Sequence, residues 1–210
     1  KELFNQNCII DLSRVGSLET KSLIMGILLI RLNEYRMDEG HMNAPLRHVT
    51  VLEEAHNILK ATTAQGQEGG TSLESKSVEM ITNSIAEMRT YGEGFIIVDQ
   101  SPGAVDISAI RNTNTKIVMR LPEEYDRRIA GKSIGLKDEQ IEEISKLPTG
   151  VALVSQNNWL EPVLCQINKA EYFEEEFQYE AKIEDVNRKE FNVQLMHFLL
   201  KGRITPSYKI

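Results

Sequence analysis

Two adjacent carboxylates, Glu53 and Glu54, follow the β-branched, apolar run of residues 49–52. Such a run is typical of a buried strand, so we expect both acids where a strand ends. One carboxylate can hold a magnesium ion, directly or through water. The next can orient a water molecule for attack on a phosphoryl group. The alternative is an acidic pair that starts an exposed helix, because glutamates favour helix N-termini.

A second polar group follows the apolar run of residues 95–98, which ends at Asp99 and Gln100. Gln100 at a strand tip could hydrogen-bond a terminal phosphate or the attacking water. The alternative is a capped turn before Pro102. Arg89 lies at the end of the preceding helical pattern, where a basic residue also complements a helix C-terminus.

The chain must supply strands and helices that position these groups. Apolar runs typical of strands cover residues 8–12, 49–52, 95–98 and 116–121. Helical patterns cover residues 18–35, 72–91, 123–130 and 137–146, and residues 151–154 and 162–167 are typical of a hairpin. The first helix, capped by Ser17, is apolar on most sides, which predicts that it is well buried.

This alternation predicts an α/β fold, with a largely parallel sheet flanked by helices on both faces and a C-terminal β-hairpin. Ligands bind such sheets at the carboxyl ends of the strands. We expect one domain over residues 1–168 and a charged, helical tail over residues 169–210. An amphipathic helix near residues 186–200 would pack on its own domain or reach a neighbouring subunit.

Composition narrows the class of protein. The chain has 210 residues and a formal net charge of -7, which excludes a free basic nucleic-acid coat but not a local basic pore. Its two cysteines favour a reducing cytoplasm over a disulfide framework or a zinc site. The longest apolar run is too short to cross a membrane. The glycine-rich residues 62–71 are typical of a flexible surface loop.

The order of the motifs resembles the HerA family of RecA-like ATPases, which are hexameric DNA translocases related to FtsK. The resemblance covers roughly residues 8–167. It rests on Glu53-Glu54-Ala55-His56, Arg89-x-x-Gly92, Gln100-x-Pro102, Asp106, Asn114-Thr115, Arg120-Leu121, Asp126-Arg127-Arg128 and Leu147-Pro148-Thr149-Gly150.

The resemblance implies a role for each matching residue. Glu53 would lie at the Walker B position associated with Mg²⁺, which it would hold through water, and Glu54 would be the catalytic glutamate. Gln100 would report the γ-phosphate of ATP. Arg89 is the candidate for the arginine that neutralises transition-state charge in a neighbouring subunit's site. Arg120, Arg127 and Arg128 are alternatives for that role, and Arg120 and Arg128 are also candidates for binding the nucleotide. Each of the three could instead be a surface or ion-pairing arginine.

The phosphate-binding motif GxxxxGK[ST] does not occur in these residues. Gly131-Lys132-Ser133 fails on context, because a helical pattern precedes it where a P-loop follows a strand. We therefore expect a segment from Walker B onward, with the Walker A half upstream of Lys1. Alone it would bind nucleotide poorly and be inactive, because the phosphate cradle supplies most of the phosphate contacts.

The resemblance therefore predicts part of a homohexameric ATPase that couples ATP hydrolysis to DNA translocation or helicase activity. DNA would lie in the ring pore, where the loop of residues 62–71 could contact it. One alternative is a scaffold ring that organises a nuclease or an anti-phage effector. Another is a conjugation or DNA-packaging ATPase. DNA-stimulated hydrolysis separates a translocase from a passive ring.

Overall fold

The computed structural model describes residues 2–61, 73–171 and 193. All the elements below belong to the compact unit Lys1–Lys169. The predicted loop at residues 62–71 lies outside the described residues, as does the tail helix near residues 186–200 apart from Val193. The division between residues 168 and 169 stays a prediction.

Ten helices and strands are described, in the predicted order except that residues 8–12 form no strand and a helix that was not predicted covers Ile107–Asn112. They are α1 (Leu18–Glu39), β1 (His48–Glu53), α2 (Leu73–Met88), β2 (Glu93–Val98), α3 (Ile107–Asn112), β3 (Thr115–Val118), α4 (Glu124–Ser133), α5 (Asp138–Glu143), β4 (Val151–Gln156) and β5 (Val163–Gln166). Short 3₁₀ turns over Ala55–Asn57, Arg89–Tyr91 and Pro102–Ala104 follow β1, α2 and β2 respectively. The predicted hairpin is confirmed as β4 and β5.

Strands β1 and β2 pair in parallel, in a register that sets Glu53 beside Val98. Their carboxyl ends therefore meet at one edge. Side chains alternate across the pair, as the pleat of a strand requires. Leu52 and Ile97 belong to a core built with α1, α2 and α3.

The opposite face of this pair is open among residues 2–61 and 73–171. Val51 is 58% exposed and its neighbour Ile96 is 51% exposed. The prediction that helices cover both faces of the sheet is therefore not met within the described residues, since α1, α2 and α3 all pack on one side.

The remaining strands form a second, antiparallel sheet in the order β3-β4-β5. A separate core of α4 and α5 packs against it, with Val118, Ile134, Ile141, Ile144 and Leu147 buried at its centre. The α/β class is confirmed. Parallel pairing is confined to β1 and β2 in the part of the chain that is described, whereas the sequence predicted a largely parallel sheet.

Two local predictions near the amino terminus are wrong. Residues 8–12 form no strand, and Ile9 is 97% exposed, because no described strand lies beside them to complete a ladder.

Helix α1 begins after the predicted cap, since Ser17 Oγ accepts from Thr20 N at 3.1 Å. However, α1 is only partly buried, because it packs with one face and leaves Leu23 and Ile27 exposed. None of the described helices, α1 included, is long and apolar enough to span a bilayer.

A buried charge network joins α1 to the amino ends of β1 and β2. The Glu93 side chain is fully buried and accepts from Arg36 Nε at 2.9 Å and from Thr50 Oγ1 at 2.7 Å. Its carboxylate also lies 2.7 Å from His48 Nδ1. Arg36 donates in addition to Glu39 Oε2 at 3.0 Å. Burial opposes ionisation of Glu39, but hydrogen bonds and nearby arginine charge nevertheless lower its pKa.

Removing Glu93 should destabilise the fold strongly. Glu93→Ala leaves the Arg36 guanidinium buried with one acceptor fewer, which costs about 3–5 kcal/mol of unfolding free energy. Glu87→Ala, at an exposed position of α2, is the matched control and should change stability by no more than about 0.5 kcal/mol. Urea denaturation measures both. Equal effects for the two variants would contradict a structural role for the network.

Candidate functional site

The turn after β1 holds Glu54 in an unusual backbone conformation. Glu54 has φ 52° and ψ 50°, in the left-handed region that glycine favours. The following turn begins at Ala55, which is fully buried. Asn57 Nδ2 donates to the Glu54 carbonyl at 2.8 Å. A strained non-glycine residue between a strand and a buried turn is an arrangement found at functional sites.

The Glu54 side chain contacts the end of the neighbouring strand. Gln100 Nε2 donates to Glu54 Oε1 at 3.1 Å. The structure thus joins two of the residues that the sequence predicts for the site. A carboxylate and an amide that face solvent side by side can orient one water molecule between them.

Asp99 ties the turns after β1 and β2 together. Its Oδ2 accepts from the His56 backbone N–H at 2.8 Å and lies 2.9 Å from His56 Nδ1. Its Oδ1 accepts from Ser101 N at 2.9 Å. The Asp99 side chain is only 6% exposed. Asp99 was not predicted as a site residue, although its position at the end of an apolar strand was the available signal.

Glu53 ends β1 on the open face of the strand pair. Its side chain is exposed and makes no hydrogen bond to any other described residue. One exposed carboxylate suits Mg²⁺, which keeps several waters and takes one or two protein oxygens. No group of three or more potential metal ligands occurs among the described residues. Glu53 could therefore hold a cation largely through water. The described residues do not form a site in which protein atoms alone surround a metal ion.

The turn after Gln100 is fixed from α4. Asp126, which is buried, accepts from Gly103 N at 2.8 Å. A Cβ on Gly103 would meet the Tyr125 ring at 2.4 Å, so only glycine allows this close approach. Helix α4 thereby determines where the Gln100 loop lies.

The candidate arginines occupy different settings. Arg127 is buried, donates to the Pro122 carbonyl, and donates to Glu142 Oε2 at 3.1 Å, which is a structural set of partners. Arg128 pairs with Glu124 at 3.2 Å on the exposed face of α4. Arg120 is exposed just beyond β3.

Arg89 lies at the other end of the strand pair. It is exposed in the 3₁₀ turn that precedes β2, whereas Glu54 and Gln100 follow the carboxyl ends. The six-residue length of β2 separates these ends by about 16 Å. The structure therefore does not bring Arg89 to the acidic pair of the same chain.

Gly131-Lys132-Ser133 forms the last turn of α4. Gly131 is buried, and a Cβ there would meet Ile141 at 2.6 Å. Its small size serves helix packing, which confirms that this segment is no phosphate-binding loop.

No protein-family model matches the chain. The chain is 29% identical over 140 residues to the DNA double-strand break repair helicase HerA of Sulfolobus acidocaldarius, covering 66% of this chain and 26% of the relative. It is 29% identical over 129 residues to the helicase of the same name from Sulfurisphaera tokodaii, covering 59% and 23%. The chain thus spans about a quarter of the length of the curated relatives it matches.

The fold is similar to that of a solved viral protein, the genome packaging NTPase B204 from Sulfolobus turreted icosahedral virus 2 in complex with AMP. The TM-score is 0.52 at 12% identity, covering 80% of this chain and 71% of that one. The described elements therefore form a RecA-like α/β fold, similar to that of this viral protein. In sequence, the chain is similar to the HerA helicases of these two organisms.

The left-handed backbone of Glu54 gives a stability prediction. Glu54→Gly removes the strain of a side chain at positive φ and should stabilise the fold by about 0.5–1 kcal/mol. Glu53→Gly is the matched control, because glycine weakens a strand by a similar amount. Thermal and urea unfolding compare the two variants. Destabilisation of the same size by both would show that Glu54 is unstrained.

Proposed function

We propose that the intact protein is an ATPase of the HerA type, which hydrolyses ATP at the carboxyl ends of β1 and β2. The main observation in support is the hydrogen bond between Gln100 and Glu54, at the point where two parallel strands end. The similarity to the two HerA helicases supports the choice of substrate.

In this proposal Glu54 accepts a hydrogen bond from the attacking water and takes up its proton as the bond to phosphorus forms. Gln100 donates to the γ-phosphate or to the same water, which it can reach from its position beside Glu54. Glu53 holds Mg²⁺ through water from the open face of β1. When bound, the ion neutralises charge on the β- and γ-phosphates.

The remaining phosphate contacts come from other groups. GxxxxGK[ST] is absent from these 210 residues, so another part of the intact protein would supply the phosphate cradle. Arg120 and Arg128 are two exposed arginines among the described residues that could contact nucleotide. For Arg128 this requires it to leave Glu124, which is feasible because both side chains are well exposed.

We further propose that the protein forms a homohexameric ring and moves DNA through its pore. The distance between Arg89 and Glu54 within one chain favours an arginine supplied to the neighbouring subunit's site. A ring supplies such a neighbour at every site. We also propose that the protein lies in the cytoplasm and that a nuclease or another effector is its partner.

Glu54→Gln should separate binding from hydrolysis. The amide keeps the shape of the side chain but cannot take up a proton, so turnover should fall at least about a hundredfold while ATP binding persists. Glu87→Gln on the exposed face of α2 is the control and should leave both unchanged. Steady-state hydrolysis and equilibrium binding of ATP by the intact protein give the two readouts. Retained turnover in Glu54→Gln would remove Glu54 from the mechanism.

The same hydrolysis measurement with and without double-stranded DNA distinguishes a translocase from a scaffold. Stimulation by DNA supports coupling of hydrolysis to DNA movement. Hydrolysis that DNA does not change would contradict translocation and favour a ring that organises an effector.

Mixing inactive variants tests whether Arg89 acts between subunits. Arg89→Ala and Glu54→Gln should each be inactive alone. In a ring assembled from equal amounts of both, roughly a quarter of the junctions combine an intact Glu54 with an intact Arg89. ATP hydrolysis should therefore return to about that fraction of the wild-type rate. No recovery, in rings shown to be mixed by two affinity tags, would contradict an Arg89 contribution from the neighbour.

A further inference from the structure

His56 lies beside the Glu54 carboxylate and is held in place from the neighbouring strand. Its Nδ1 is 3.6 Å from Glu54 Oε2 and 2.9 Å from Asp99 Oδ2. The ring is about a third exposed, whereas Asp99 is almost fully buried. The exposed ring is thus anchored by a group that has little freedom to move.

The bond to Asp99 determines the arrangement of hydrogens on the ring. An ionised carboxylate only accepts hydrogen bonds, so the neighbouring Nδ1 must carry a hydrogen and donate it. The same Asp99 oxygen also accepts from the His56 backbone N–H at 2.8 Å. Both the ring and the backbone of His56 are therefore oriented by one acceptor, and Nε2 is left on the far side of the ring.

The two oxygens of Glu54 have different neighbours. Oε1 accepts from Gln100 Nε2 at 3.1 Å, and Oε2 faces the His56 ring. The carboxylate therefore lies between an amide from the turn after β2 and an imidazole fixed by Asp99. Because Glu54 is itself about half exposed, the side chain would sample other rotamers without these neighbours.

We propose that His56, anchored by Asp99, is a positioning residue that keeps the Glu54 carboxylate in the orientation required for hydrolysis. This role rests on the proposed function, in which Glu54 activates water. His56 acts through Glu54 and takes no proton from the substrate. Asp99 links the end of β2 to this ring, so the geometry of Glu54 depends on the register of both strands.

Asparagine and glutamine substitutions separate this role from direct chemistry. The amide nitrogen of asparagine occupies roughly the place of Nδ1, and that of glutamine roughly the place of Nε2. His56→Asn can therefore still donate to Asp99, whereas His56→Gln cannot do so from the same position. His56→Ala removes the ring altogether, and His41→Ala changes an exposed histidine away from the site as a control.

The experiment measures kcat, KM and ATP affinity for the intact wild-type protein and these four variants, with melting temperatures to check folding. His56→Ala lacks the ring that contacts Glu54, and His56→Gln loses the hydrogen bond that anchors the side chain to Asp99. We expect each to lower kcat about tenfold or more, the size expected when one hydrogen bond to a charged group such as Asp99 is lost. Their ATP affinity should stay unchanged. His56→Asn should recover most of the lost kcat, and His41→Ala should match the wild type.

Several results would overturn the proposal. If kcat for His56→Ala stays within twofold of wild type while Glu54→Gln is inactive, His56 has no positioning role. The proposed function of Glu54 would be unaffected by that result. Activity in His56→Gln but not in His56→Asn would show that Nε2 acts directly. A loss explained by weaker ATP affinity would assign His56 to binding instead. Absence of turnover in the wild-type protein would overturn the proposed function, and the positioning role with it.

Discussion

The parallel register between β1 and β2 determines where every polar group of the candidate site lies. It sets Glu53 beside Val98, so the turns that begin with Glu54 and Asp99 emerge from the same edge. A shift of one residue would move every side chain of one strand to the opposite face of the sheet. Leu52 would then leave the core, and Gln100 would no longer lie beside Glu54.

Polar contacts hold this register at both ends of the strands. At the amino end, Glu93 is fully buried and bonded to Arg36 of α1. At the carboxyl end, Asp99 accepts from both the ring and the backbone of His56. The first network is remote from the candidate site, and the second is part of it. A change in the first network would therefore affect Glu54 through the stability of the fold. A change in the second would alter the orientation of the Glu54 carboxylate directly.

Sequence patterns predicted the elements better than their packing. The apolar runs before Glu53 and Asp99 identified β1 and β2, because a strand with buried neighbours needs such residues. Residues 8–12 have a similar pattern but form no strand, because pairing depends on a partner that a local pattern does not reveal. Helix α1 is apolar enough for full burial, yet Leu23 and Ile27 are exposed. Its burial depends on which faces meet neighbours, and composition does not encode that.

For the site, strand ends indicated Glu53, Glu54 and Gln100, since parallel strands bring their carboxyl ends together. The contacts of Asp99 and the left-handed backbone of Glu54 could not be predicted. Both depend on how two turns, distant in sequence, fit against each other.

The central claim is that the carboxyl ends of β1 and β2 face the γ-phosphate of ATP. A structure of the intact protein with Mg²⁺ and a non-hydrolysable ATP analogue tests it most directly. The account predicts a γ-phosphate close to Glu54 and Gln100, with Glu53 directed towards the metal ion. A nucleotide bound elsewhere, for example at the amino ends of the strands near Arg89 of the same chain, would contradict it.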